Sequence, residues 1–294
     1  MSDHNNFTLP ISRIVIVNGM GEDDSGVVYR TYETASDAFG LRPDIDVQIE
    51  SVRTKEDLCT LIARLQNTVR EKGVPLLQLE FHGGSTSGLK FQSDEYLHWG
   101  ELRDQIRCLN QETKNYLVLV TNICHSLQLL EYPRFDRPSP FYCLVAPPQK
   151  IDNSEIERSM NVFYTLLVKQ GLKEALQSIR NSYFEYFPEE ILKDVIREQL
   201  EKYEGRRGQK YREECLTNLL EKLPQADDSP DVVSSARRAV KNTKKNFSRE
   251  RFVSMTNMFL CGRDPVLFNY EDLFTPYNKP EWVKTLEAAE DASE

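Results

Sequence analysis

The sequence is poor in the features that announce a specialised chemistry. Of 294 residues only 4 are histidine and 2 are tryptophan, and the 6 cysteines (Cys59, Cys108, Cys124, Cys143, Cys215, Cys261) stand singly with no C-x-x-C pair. That spacing points neither to a disulfide framework nor to a zinc site. No apolar run approaches the roughly 20 residues a membrane helix needs, the longest being blocks such as Ile14 to Val17 and Leu117 to Val120, so no membrane partner is expected. Basic excess is also missing. With 37 Lys plus Arg against 46 Asp plus Glu, the formal charge of -9 argues against a chain built to grip phosphate backbones, and nucleic acid is not an expected partner. Residues Met1 to Asn6 lack the basic and apolar regions of a secretory signal, which predicts a cytoplasmic address with reduced thiols. Without a G-K-[ST] loop or a metal-ligand spacing, no cofactor and no metal are called for.

What is present is a hydrophobic fraction of 39%, enough for a large core. Over the first half, short β-branched runs alternate with helix-like stretches, the pattern of an α/β fold with a mostly parallel sheet flanked by helices. Strands are predicted at Arg13 to Val17, Asp46 to Ser51, Pro75 to Phe81, Tyr116 to Thr121 and Phe141 to Ala146. The first and fourth lack polar alternation and are expected at the centre of the sheet. Apolar residues at helical spacing predict covering helices over Thr54 to Glu71 and Trp99 to Leu109, with a small hairpin at Gly88 to Leu97 between the third strand and the second helix. After Pro147-Pro148 the pattern becomes helical, at Asn161 to Leu166, Leu172 to Ile179 and from Glu189 onward, where Leu192, Ile196, Leu200 and Tyr203 share one face. This predicts an α/β domain over 1–185 and a helical C-terminal region over 186–294. Two breaker-rich loops, Glu204 to Gly208 and Pro224 to Pro230, are expected at exposed tips. A basic stretch from Arg237 to Arg251 and an acidic end from Leu286 to Glu294 read as solvated faces.

In an open parallel sheet the reactive groups gather beyond the carboxyl ends of the strands. There the chain carries Asn18 to Asp24, then His82-Gly83-Gly84, then Asn122-Ile123-Cys124-His125-Ser126. If the third and fourth strands are neighbours, about 4.8 Å apart, His82 and Cys124 share one rim. An imidazole beside a thiol can take its proton, so the two form a base and nucleophile. The N–H groups of Gly83 and Cys124 could form an oxyanion hole, and a helix beginning near His125 would add its dipole. Either residue alone reads as ordinary packing; the joint placement favours chemistry. His125 is adjacent to the thiol and is expected to point away, His98 to sit at a helix junction, and Cys59, Cys108 and Cys143 to fill core. A nucleotide-binding alternative starts from Gly19-Met20-Gly21 and Glu50, and stops where a dinucleotide fingerprint wants glycine and this chain has Asp24.

The order strand, Phe81-His82-Gly83, hairpin and helix, strand, Asn122-Ile123-Cys124-His125-Ser126 resembles the caspase-like cysteine peptidases, including metacaspases and the bacterial CHAT peptidases. Asn122-x-Cys124-x-Ser126 is similar to the CHAT pattern N-A-C-x-S, and Cys124-His125-Ser126 to the metacaspase pattern D-x-C-H-S-G; the 42-residue separation is near the caspase value of about 50. The resemblance covers roughly residues 10 to 180. It implies a caspase-like fold, a cysteine endopeptidase with catalytic His82 and Cys124, a protein substrate, and a place in a partner-triggered defence or cell-death pathway. Asn122 stands where metacaspases carry an acid for a basic P1 side chain, and Leu127 where they carry glycine. The acids Asp23 and Asp24 are then candidates, with Asn122, for substrate binding. An acidic pocket that takes a basic P1 residue would place self-cleavage after Arg206 or Arg207, the expected outcome; an Asp preference would place it after Asp227 or Asp228. The helical C-terminal region is expected to hold an activating or inhibitory protein partner. The competing reading is a caspase-like fold without activity, serving as an interaction or regulatory module.

Overall fold

The computed structural model describes residues 10–130, 135–202, 213–214, 216–217, 234–235, 238 and 249–274. Five strands form a parallel sheet: β1 (Ile11–Asn18), β2 (Asp46–Ser51), β3 (Val74–Glu80), β7 (Val118–Asn122) and β8 (Cys143–Ala146). A sixth, β9 (Phe184–Tyr186), adds antiparallel to β8 and completes the order β2-β1-β3-β7-β8-β9. The short strands β4 (His82–Gly84), β5 (Gly88–Lys90) and β6 (Tyr96–Leu97) make a separate antiparallel sheet, so the predicted hairpin exists and gains a third strand that begins at His82. The two aliphatic runs expected at the centre lie there: β1 sits between β2 and β3, and β7 between β3 and β8.

Helices cover both faces. Helices α2 (Lys55–Lys72) and α3 (Trp99–Glu112) pack on the face that carries Val15, Val17, Leu77, Leu79 and Leu119. Helix α2 starts where Thr54 accepts from the Asp57 N–H while the Asp57 carboxylate takes the Thr54 N–H, a reciprocal cap that satisfies two donors otherwise left bare. On the other face lie α1 (Gly26–Phe39), α4 (Asn153–Gln170) and α5 (Leu172–Ser178), against Ile14, Ile16, Leu76, Val118 and Val120. Each wholly buried aliphatic side chain contributes about 1.5–3 kcal/mol, which makes this two-sided burial the main stabilising term.

The described chain falls into two compact units, Met1–Leu192 with Glu250–Leu267, and Lys193–Arg249 with Phe268–Glu294. Helix α6 (Pro188–Lys202) starts in the first unit, and there the Glu189 carboxylate accepts from Arg263 at 3.0 Å and from the Leu267 N–H at 2.5 Å. The Arg263 guanidinium also lies 4.5 Å from the Tyr142 ring centroid, so a buried charge is paired and stacked where helix α7 (Arg249–Phe259) has just ended. Within the second unit, Arg197 donates to the Asp272 carbonyl. Tyr203, both breaker-rich loops, the acidic end, Cys215 and most of the basic stretch lie outside the described residues. No helix among the described residues is long and apolar enough to cross a membrane.

Candidate functional site

The register of β3 and β7 builds the site. Glu80 pairs with Asn122 at the ends of these strands, and the chain continues for two residues on each side to His82 and Cys124. Between them, Phe81 and Ile123 both lie in the α2/α3 core and anchor the two strand ends there. His82 and Cys124 thus each follow, by two residues, the carboxyl ends of neighbouring strands.

Gly83 brings the two ends into contact. A Cβ at Gly83 would lie 2.4 Å from the Cys124 carbonyl oxygen and 2.6 Å from Ile123 Cγ2, so only glycine lets β4 lie on the turn that carries the thiol. The buried Trp99 at the start of α3 anchors the same segment by donating from Nε1 to the Gly84 carbonyl at 3.0 Å. Cys124 is half-buried. Immediately after it, His125 adopts φ +65°, a left-handed conformation uncommon for a side chain of that size, and Ser126 N–H returns to the Ile123 carbonyl. The strained turn leaves the thiol at the strand tip. The helix expected from His125 is a 3-10 helix of 5 residues, Ser126–Leu130, too short to supply the dipole anticipated for the oxyanion hole.

The remaining site residues fall into three settings. Asp24 stands against His82, with Oδ2 at 3.1 Å from Nε2, and both side chains are exposed. Asp23 is exposed beside it, at the entry to α1. Asn122 is buried, receives the Tyr183 hydroxyl at 2.5 Å and donates to Glu80 Oε1 at 2.5 Å. Glu80 also accepts from Gln78, which in turn receives the Tyr164 hydroxyl, while its Oε2 is buried with no hydrogen-bond partner. Burial pushes the Glu80 carboxyl up from 4.5 to about 7, opposed by the Asn122 and Gln78 hydrogen bonds. Burial, and then the Glu80 charge, hold the Tyr164 and Tyr183 hydroxyls well above their ordinary value.

Sequence reasoning missed two relationships. The Asp24 contact to His82 spans 58 residues and has no local signature. Glu80 was overlooked, although an acid inside a strand with neighbours on both sides is itself a signal, since a buried carboxyl needs partners.

Other features resolve into structure. Gly19 is required because a Cβ there would lie 2.0 Å from the Phe81 ring, and Glu50 pairs with Arg64 at 2.8 Å, so neither half of the nucleotide-binding alternative is left without a packing role. His98 caps α3 through Nδ1, which accepts from the Gly100 N–H at 3.2 Å. His125 is exposed. Cys143 is core, with burial pushing its thiol up; Cys59 is half-buried, and Cys108 is exposed on α3 rather than in the core, a correction to the sequence expectation. The thiol of Cys261, pushed up to about 11 by burial, is a poor nucleophile. Among the described residues no three potential metal ligands converge. No protein-family model and no curated protein matches this chain.

Proposed function

We propose that the protein is a caspase-like cysteine endopeptidase in which Cys124 is the nucleophile and His82 the general base and acid. The observation that carries this reading is the approach of Gly83 to the Cys124 carbonyl, with the Glu80–Asn122 register, because together they hold a half-buried thiol and an exposed imidazole on one rim. His82 accepts the Cys124 proton, and the sulfur attacks the scissile carbonyl carbon. The resulting oxyanion is met by the N–H groups of Gly83 and Cys124. Collapse breaks the C–N bond, with His82 returning its proton to the departing amine and a thioester left on Cys124. Water, deprotonated by His82, then attacks the thioester and releases the acid and the free thiol. Asp23, exposed beside Asp24, keeps the substrate-side role expected of it, whereas Asn122, buried and engaged by Tyr183 and Glu80, does not: its amide supports the strand ends from below. The C-terminal region, 186–294, is the part of the chain that restrains or directs this activity through a protein partner, and the regulated-defence setting follows from the resemblance.

The test is mass spectrometry of protein treated with peptidyl electrophiles bearing different P1 residues, beside hydrolysis of matched peptides. A single adduct on Cys124 and loss of cleavage in Cys124→Ala and His82→Ala, with folding retained, is the expected result. Cleavage by Cys124→Ala at the wild-type rate would sink the assignment. Absence of both adduct and cleavage would favour the interaction-module reading.

A further inference from the structure

A base that serves a thiol must present the right nitrogen, and an imidazole has two. A carboxylate only accepts hydrogen bonds, so the 3.1 Å contact from Asp24 Oδ2 requires the proton on Nε2 of neutral His82. The lone pair is then on Nδ1. The Asp24 carboxylate is carried by a braced turn. Gly19 N–H donates to the Glu80 carbonyl at 2.9 Å, which joins the start of the turn to the last residue of β3. Met20 N–H donates to Asn18 Oδ1 at 3.0 Å, and the Gln92 amide donates to the Met20 carbonyl at 2.5 Å. Asp24 and Ser25 N–H groups both reach the Gly21 carbonyl, at 3.1 and 3.0 Å, and the Ser25 hydroxyl donates to the Glu22 carbonyl. Helix α1 follows at Gly26. The turn is therefore fixed to the same strand end that presents His82.

With the His82 side chain 58% and the Asp24 side chain 50% exposed, solvent screens the pair, and stability alone gives little reason for so braced an arrangement. We propose that Asp24 is a positioning residue, whose carboxylate accepts the Nε2–H of His82 and so leaves Nδ1 as the nitrogen that takes the Cys124 proton. This rests on the His82/Cys124 reading above and replaces, for Asp24, the role of a substrate-side acid. No bond is made or broken at Asp24. It selects the tautomer and the ring orientation, and it stabilises the imidazolium once the proton has moved.

The role has a signature that substrate binding lacks. Asparagine at this position can donate its amide to Nε2 and drive the proton onto Nδ1, the wrong nitrogen, whereas alanine leaves the ring free to choose. Asp24→Asn is therefore expected to be more damaging than Asp24→Ala, and Asp24→Glu to recover part of the loss. Alkylation of Cys124 by iodoacetamide reads this without a substrate: about a 10²-fold slower rate in Asp24→Asn, less in Asp24→Ala, and nitrogen NMR of labelled histidine showing the Nε2–H form in the wild type and not in Asp24→Asn. Peptide hydrolysis should lose kcat with KM unchanged, whatever the P1 residue. Wild-type alkylation and tautomer in Asp24→Asn, or a KM rise confined to peptides with Lys or Arg at P1, overturns the proposal while the His82/Cys124 pair stands. Alkylation unchanged in His82→Ala overturns the pair itself, and this proposal with it.

Discussion

The two faces of the central sheet are built from the same strands and obey different rules. Toward α2 and α3 the middle of the sheet presents Val15, Val17, Leu77, Leu79 and Leu119, all buried and all aliphatic. Toward α1, α4 and α5 the equivalent positions begin as Ile14, Ile16, Leu76, Val118 and Val120, then change at the carboxyl half to Gln78, Glu80 and Asn122. The first face holds the molecule together; the second also carries a buried polar chain directly below the rim where His82 and Cys124 emerge. Buried polar groups in the centre of the sheet are thus concentrated on one face, at the carboxyl ends of β3 and β7.

Breaking the aliphatic face should give the largest effect on folding. Leu119→Ala removes a fully buried side chain from the centre of β7 and is expected to cost about 2–5 kcal/mol in urea denaturation, while the reactivity of Cys124 in the folded protein stays near wild type. A loss of thiol reactivity in folded Leu119→Ala would show that the two faces are not separable.

Glu80→Gln tests the polar face. Because the folded-state value lies above the unfolded one, the neutral carboxyl's stability is fully present below about pH 4.5 and is lost as pH rises toward about 7. Above that it is constant, and the whole loss is about 3 kcal/mol. The Gln variant keeps an acceptor for Asn122 and cannot ionise, so its stability should be flat over this window and exceed wild type at pH 8. Equal slopes in the two proteins, measured by urea titration from pH 4 to 8, would mean that Glu80 does not titrate in this range.

Gly83→Ala should cost about 1–3 kcal/mol, since the new methyl meets backbone at the Cys124 carbonyl rather than the end of a yielding side chain. It also pushes β4 from the thiol turn, and slower alkylation of Cys124 is expected with it. The smallest effect belongs to Tyr183→Phe, which removes the hydroxyl donated to Asn122 and should cost about 1 kcal/mol.

Much of this architecture was legible because its signals are local. The aliphatic runs of β1 and β7 could belong only to strands covered on both sides, and Leu58, Leu61, Ile62, Leu65 and Val69 mark one stripe of α2. Helix α1 escaped notice because its buried face is Val27, Val28, Thr31, Ala35 and Phe39, short of large apolar residues, with β-branched residues and a leading glycine that weaken the helical signal. Strand β9 escaped because 3 half-buried residues carry no periodicity. The strand ends with His82 and Cys124 were readable, since order along the chain and a parallel sheet suffice to bring them to one rim. The Asp24 contact was not, because it depends on how the turn before α1 folds back.

The chain of hydrogen bonds from Tyr164 through Gln78, Glu80 and Asn122 to Tyr183 has a further consequence for how the sheet is assembled. Aliphatic strands grip one another almost equally well in several alignments, because one valine or leucine replaces another at little cost. A slip of β7 by one residue against β3 would turn Asn122 toward α2 and α3 and leave Glu80 and Tyr183 without the amide that joins them. Only one alignment links all five side chains in the chain. They work as a register key, and the alignment they select pairs Glu80 with Asn122, two residues before positions 82 and 124.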